Sequence, residues 1–520
     1  MKKTLSTLFI GLIAVAAALC WRLPRLDAKP MHGDEANQAV RAGILMDEGE
    51  YHYDPTDHHG PALYFAALPF CRATAKTFAE TTEWNFRLVP VTFSILTLLL
   101  MLGLQNRRDG PLFLNPVGLL AALLFTACSP AMVYYSRFFI QETMLVTFLT
   151  GMLLCGLRWS ESKNAKARYG WAAGLGAFAG LAAASKETVV LSFAAAALAG
   201  LTAFGWRRIR EHLGWRDLAW AAAAAALTGI LLFSSFGTHF RGVYDALFST
   251  VSAYLHRATA VPEHQHPWHF YLTTLFYFRY GRGPVWGEWF FIAPALCAFA
   301  LSFWRGSGFP ERWLLTVRFI GFYTIALTVI YSCIPYKTPW CGLSFLHGYL
   351  MLAAVTVGLF ARTGARIFCH GRRVWGAAIM LFTVGWSAHW VYSQCRQSYR
   401  ACFQYAADPR NPYVYAHTGT DAMNLVAAIE TAAKRAQGTD TTIAVAAPPS
   451  DIWPLPWYLR AYRNVGYWNR IEDVPAEFNP VVVVAAADQG DLAESRFGKG
   501  KQCNFYGIRP GTLLNLFIPE

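Results

Sequence analysis

Charge is scarce in this chain. Asp, Glu, Lys and Arg make up 15% of its 520 residues while 55% are apolar, a balance that excludes an ordinary soluble domain and fits a polytopic membrane protein. The eleven cysteines are scattered singly with no CxxC pair, so no structural metal cluster is expected, and only Cys395 and Cys402 stand as disulfide candidates. The C-terminal part lacks a glycine-rich phosphate loop or a G-x-G-x-x-G turn, which removes the usual nucleotide sites. No small-residue cleavage site precedes Trp21-Arg22, so the apolar run after Met-Lys-Lys reads as a retained anchor rather than a cleaved signal. Midspan charges and an evident inverted repeat are missing too, which argues against a secondary transporter. The net charge of +13 sits in short connectors between apolar runs, so it carries topology information and implies no nucleic-acid partner.

What is present is a series of bilayer-length apolar stretches. They fall near residues 4–21, 88–105, 115–134, 142–158, 170–185, 187–205, 217–236, 285–303, 315–334, 342–360 and 374–393, giving about eleven spans. One alternate set of connectors carries Arg107-Arg108, Arg158 with Lys163 and Arg168, Arg207-Arg208, Arg305 with Arg312, and Arg372-Arg373. The positive-inside rule makes that set, and the N-terminus, cytoplasmic. The other set is longer and richer in His and aromatic residues, so it faces outward. It contains a first loop over 23–87 and a His-rich loop over 237–284. After residue 394 the composition becomes that of a soluble domain: Thr441 to Val445 and Val481 to Val484 read as strands and Asp421 to Arg435 as a helix. The expected fold is thus mostly α, a polytopic helical membrane domain over 1–393 with a small α/β domain over 394–520 on the outer face of a cytoplasmic (inner) membrane. The Trp453 to Tyr458 stretch suits either a membrane interface or an ordinary aromatic core.

The ionisable residues that invite chemistry all fall on the outer face. Asp34 and Glu35 open a segment in which Ala36, Val40 and Ile44 share one helical face while Asp34, Gln38 and Arg41 line another. An acidic side chain here either caps a helix or accepts a proton from an attacking hydroxyl. Glu142 lies close to Arg137, so the two form either a structural ion pair between spans or a group that orients a substrate. Lys186-Glu187 and Tyr336-Lys337 sit in turns between apolar runs, where a lysine either snorkels to the interface or meets a phosphate. Asp57-His58-His59 and the His264, His266 and His269 cluster are candidates for substrate contact. Asp57, His59, His264 and His266 are also the candidate ligands of a divalent metal.

The order of these features resembles the GT-C glycosyltransferases. An N-terminal anchor precedes an outer loop with an acidic pair, a Gly60-Pro61 turn, Arg87-Leu88-Val89-Pro90 at the start of the second span, and a Ser136-Arg137…Glu142 element. Protein O-mannosyltransferases and lipid A aminoarabinose transferases are the most similar group. The Pro267-Trp268-His269 run and the Pro335-Tyr336-Lys337-Thr338-Pro339-Trp340 segment look more like a narrower branch, the flippase-activity-associated membrane proteins linked by name to archaeal N-glycosylation. The resemblance implies a sugar donor carried on a polyprenyl phosphate and a glycan, lipid or protein acceptor. It also implies that Asp34 is the catalytic carboxylate with Glu35 as its partner, and that Lys186 and Lys337 meet the lipid phosphate. A non-catalytic protein that helps flip or present lipid-linked sugars is the alternative.

Overall fold

Apolar runs of bilayer length must satisfy their own backbone polar groups, and helices do so within one segment. In the computed structural model, which describes residues 2–56, 59–105, 112–113, 115–250, 252–253, 264–304 and 309–520, the membrane domain is a helix bundle. Its helices are α1 (Lys2–Arg22), α2 (Gly33–Glu48), α3 (Ala62–Arg72), α4 (Glu83–Gly103), α5 (Pro116–Cys128), α6 (Pro130–Tyr135), α7 (Glu142–Glu161), α8 (Ala165–Ala183), α9 (Val189–Phe204), α10 (Trp206–His212), α11 (Trp215–Phe233), α12 (Ile292–Leu301), α13 (Glu311–Cys333), α14 (Leu343–Cys369) and α15 (Arg373–Tyr399). Among the described residues six helices are long and apolar enough to cross a membrane, or seven when α9 and α10 form one span bent by 100°. All eleven expected stretches contain helix, but length and apolarity do not reproduce a count of eleven spans. Two of the shortfalls have a visible cause. The 115–134 stretch breaks where the Ser129 side chain caps a new helix at Pro130, and the 285–303 stretch first pairs Phe278 with Trp286 before turning helical.

The central helix is α14, whose small and branched residues Ala353, Ala354, Val355 and Val357 are fully buried. At one end of the bundle the basic connectors meet acidic partners: Arg158 and Arg312 both reach Glu161 at 3.0 Å, and Arg208 reaches Glu311 at 2.9 Å. The opposite end carries α2, the turn between α8 and α9, the loop before α12 and the loop after α13. We call it the site end. There α2 begins with a capping box built by His32 and Glu35 and ends at Gly49, whose φ of +86° suits glycine. Its buried face includes Ala36, Ala39 and Leu45 but also Gln38, so the helix is embedded in protein on its polar side as well.

The expected boundary at 394 falls inside α15. A connecting segment follows, and then α16 (Asp421–Arg435). Strands β1 (Ile443–Ala446), β2 (Val465–Trp468), β3 (Val482–Ala486), β4 (Lys501–Arg509) and β5 (Thr512–Pro519) form one sheet in the order β2-β1-β3-β5-β4. It is parallel across β2-β1-β3 and antiparallel across β3-β5-β4. The aromatic stretch after Trp453 belongs to neither a membrane surface nor this domain's core alone. Trp457 is fully buried against Phe78 and Phe86 of the membrane domain, its indole N–H donates to Glu83 at 3.2 Å, and the Arg460 guanidinium covers its other face at 3.6 Å. Trp457→Ala is expected to lower stability by about 3–5 kcal/mol, the usual range for emptying a buried aromatic site. A thermal melt of purified protein and faster proteolytic cleavage between residues 400 and 420 would record the loosened domain.

All eleven cysteines are free thiols, Cys395 and Cys402 included. The proposed disulfide between them is therefore corrected.

Candidate active site

The acidic pair is divided between two environments, because adjacent helical positions point about 100° apart. Asp34 projects outward with 52% of its side chain exposed, 3.8 Å from the His32 ring. Glu35 is fully buried. One Glu35 oxygen accepts from Arg87 Nε and from the Phe139 amide, each at 2.9 Å, and the other accepts from an Arg87 terminal nitrogen at 2.9 Å and from the His32 amide at 3.1 Å. Arg87 spends its remaining N–H groups on the carbonyls of Leu26, Lys29 and Pro30. Burial alone would raise the Glu35 pKa, but the Arg87 and Lys29 charges hold it at about 2. A carboxylate so fully bonded cannot exchange protons with a substrate, so the place of Glu35 is beneath Asp34, fixing the helix that presents it.

A second buried pair lies across from α2. The Lys186 ammonium bonds Glu142 and lies 3.7 Å from Cys341 Sγ. Burial opposes the charge on Lys186, but Cys341 and Glu142 together raise its pKa well above the ordinary lysine value, so it is a cation. The second oxygen of Glu142 is buried without a hydrogen-bond partner. Arg137 takes no part, contrary to the expected pair with Glu142. Its guanidinium donates to the carbonyls of Trp21, Arg22 and Arg25 at 3.3, 2.6 and 2.9 Å, where it fixes the end of α1.

Next to Lys186, Glu187 accepts from His59 at 2.8 Å. Burial would raise the Glu187 pKa, but His59 lowers it to about 2. Gly60 makes this contact reachable: a Cβ there would sit 2.2 Å from the Ala184 carbonyl oxygen, so only glycine lets the turn close on the end of α8. Arg41 is half-buried, and its charge acts on the phenols of Tyr51 and Tyr64. Tyr64 in turn donates to Gln38 at 2.5 Å.

The opposite wall comes from two loops that pair back to back. His266 N–H donates to the Pro335 carbonyl at 3.0 Å and Lys337 N–H to the His264 carbonyl at 2.9 Å, flanking an antiparallel bridge between Gln265 and Tyr336. The Lys337 ammonium turns onto the carbonyls of His266 and Ile334 and holds this ladder together; the expected presentation of Lys337 to a phosphate is not what its bonds serve. Tyr336 is half-buried. Burial first, then the Asp34 charge, raises its phenol pKa, and Lys186 pulls the other way, so Tyr336 feels both the acid and the ammonium. His264 and His266 converge on the Tyr415 hydroxyl, while His269 is exposed beside Trp268.

The candidate metal ligands that the structure describes, His59, His264 and His266, do not form one three-ligand cluster. His59 serves Glu187, and His264 and His266 serve Tyr415. Among the described residues no three His, Cys, Asp or Glu side chains cluster as a metal would require. Asp57 and His58 lie outside the described residues. The sequence reading missed Arg87 as the partner of Glu35, although an arginine opening an otherwise apolar span is a signal that such a charge has a buried partner. Tyr415 carried no signal.

Below this layer a largely apolar cavity of about 730 Å³ runs among α7, α9, α13 and α14, from Val146, Ser192 and Ser344 at the site end to Arg208 and Arg312 at the basic end. Its upper end begins one helical turn from Glu142.

The fold has solved counterparts. The structure superimposes on ArnT from Cupriavidus metallidurans bound to undecaprenyl phosphate with a TM-score of 0.64 at 13% identity, covering 98% of this chain and 97% of that one. It also superimposes on the oligosaccharyltransferase AglB from Archaeoglobus fulgidus, in complex with an inhibitory peptide and a dolichol-phosphate, with a TM-score of 0.55 at 12% identity, covering 98% of this chain and 74% of that one. The chain has the GT-C fold. The family model for dolichyl-phosphate-mannose-protein mannosyltransferases matches residues 65–237 of this chain, from α3 to the end of α11. Comparison with curated proteins gives no match.

Proposed function

We propose that this GT-C protein is a membrane glycosyltransferase that moves a sugar from a polyprenyl-phosphate donor onto an acceptor hydroxyl, with Asp34 as general base. The observation that carries this reading is the division of labour within the acidic pair: Glu35 is buried and fully bonded, and Asp34 stands half-exposed on a helix held rigid from below. The acceptor oxygen attacks the anomeric carbon and forms the new C–O bond as the bond from that carbon to the phosphate oxygen breaks. The acceptor proton passes to Asp34, and the electron pair of the broken bond leaves with the phosphate. A single displacement inverts the anomeric configuration.

Lys186 is the cation that meets the growing charge on the phosphate. Its bond to Glu142 holds it in place and keeps it protonated before the donor arrives. The apolar cavity below takes the isoprenoid chain, which puts the phosphate at the level of Lys186. Because the basic connectors lie at the far end, the positive-inside rule makes the site end extracytoplasmic, with the N-terminus cytoplasmic and the C-terminal domain outside. The acceptor is a glycan, a lipid or a protein.

The test is transfer by purified protein in lipid nanodiscs from a panel of radiolabelled undecaprenyl-phosphate monosaccharides to membrane extracts, with release of undecaprenyl phosphate scored in parallel. Transfer with stoichiometric release is the expected result. Binding without turnover across the panel would favour the lipid-presenting alternative. Lys186→Met should weaken undecaprenyl phosphate binding about tenfold or more by removing a charge-assisted contact, read as a smaller thermal shift at fixed lipid concentration.

A further inference from the structure

Residues 405–420, between the last membrane helix and α16, cross the site end in a series of turns, and the alternate side chains Tyr413, Tyr415 and His417 reach different loops. Tyr413 donates to Glu288 at 3.1 Å, and His417 meets Tyr134 at 2.7 Å. Between them Tyr415 touches three of the segments that build the candidate site. Its hydroxyl lies 2.6 Å from His264 Nδ1 and 3.0 Å from His266 Nε2. Its carbonyl accepts from His32 Nε2 at 2.9 Å, and the other nitrogen of that ring caps the Asp34 amide at 3.0 Å. Its ring packs edge-on against Trp340, just past the Tyr336-Lys337 strip.

A phenol has one proton to give. With two imidazole nitrogens in reach, it donates to one and accepts N–H from the other, which fixes both rings and their tautomers. Those rings belong to the strand that pairs with Pro335 to Lys337, and the ring of Tyr336 in that strip lies 5.1 Å from that of His264. One side chain from the segment leading to the C-terminal domain thus sets the separation between the helix carrying Asp34 and the wall opposite it.

We infer that Tyr415 is a positioning residue of this site, holding the His264–His266 and Tyr336–Lys337 ladder at its working distance from Asp34. The inference rests on the proposed transferase reading for its kinetic consequence but not for its structural one. Tyr415→Phe keeps the ring packed and removes only the hydroxyl. In full-length Tyr415→Phe protein in nanodiscs, the backbone amides of His266 and Lys337, which pair across the ladder, are expected to exchange hydrogen about tenfold faster, while those of β1 and β3 stay unchanged. Unchanged exchange at both amides overturns the inference whether or not the protein is a transferase. Where transfer is measurable, the KM for acceptor should rise about tenfold with kcat and the donor KM within twofold. Equal losses in all three constants, or none, overturn the positioning role. The His264→Asn variant should reproduce the KM change, and the Tyr415→Phe/His264→Asn double variant should add little further, because both act through the same contact.

Discussion

Asp34→Asn should reduce sugar transfer by about 10²–10⁴-fold, the range expected when a positioned general base is lost, while the protein folds and binds undecaprenyl phosphate as before. The prediction separates chemistry from architecture because the Asp34 carboxylate is half-exposed and lies 3.8 Å from the His32 ring rather than in a buried ion pair. The isosteric amide leaves the helix cap in place, since that cap is made by the His32 ring and the Glu35 carboxylate. The measurement is kcat/KM for transfer from the donor that the panel identifies, beside a thermal shift with undecaprenyl phosphate. Undiminished transfer would sink the assignment of Asp34 as base.

Arg87→Met should be far more damaging to the fold. Arg87 and Glu35 are both fully buried, and removing the arginine leaves Glu35 with the more distant Lys29 at 3.9 Å in place of a bidentate partner, a broken buried pair that costs about 3 kcal/mol. It also strips hydrogen bonds from the carbonyls of Leu26, Lys29 and Pro30, the connection from α1 to α2. The melting temperature in detergent should fall steeply, with the yield of monodisperse protein falling alongside it. Glu35→Gln, which keeps the shape and loses the charge, should lose less stability and should impair transfer only as far as α2 is displaced. If Arg87→Met melts like the parent protein, the buried pair is not the support of the site.

The same pair sets a pH dependence. The folded-state pKa of Glu35, about 2, lies below its ordinary 4.5, so its contribution to stability is fully present above pH 4.5 and is lost as the pH falls from there through about 2. Glu187 beside His59 has the same direction and the same window. Acid titration followed by a fold-sensitive signal should therefore show the site end holding through mild acid and giving way only near the lower end of that range.

Much of this was legible in the sequence, and the residues show why. Bilayer-length apolar runs leave the backbone little alternative to helix, so the positions of the membrane helices followed from composition. The strand-like runs that became β1 and β3 were visible because a parallel strand buried on both faces is continuously apolar. Strand β4 was not visible: Lys501 to Arg509 is half-exposed or exposed at every position but Ile508 and carries no such run. Two of the expected spans are shorter as helices because of local events, a serine cap at Ser129 and the bridge at Phe278, that hydropathy averages away.

At the site the limit was different. The sequence by itself determined which chemistry was available: carboxylates, lysines and histidines gathered in the connectors of one face, with the basic connectors on the other. Tertiary structure alone decided which of them remain able to act. Asp34 and Glu35 are adjacent and chemically alike, yet one is turned outward and the other is closed in by Arg87, a residue 52 positions away. Lys186 and Lys337 both follow an apolar run, yet one lies beside a carboxylate with an unbonded oxygen and the other is consumed by backbone carbonyls. The physical reason is that a buried charge must find partners, and the partners come from whichever segments the fold brings near, an arrangement that local spacing does not encode.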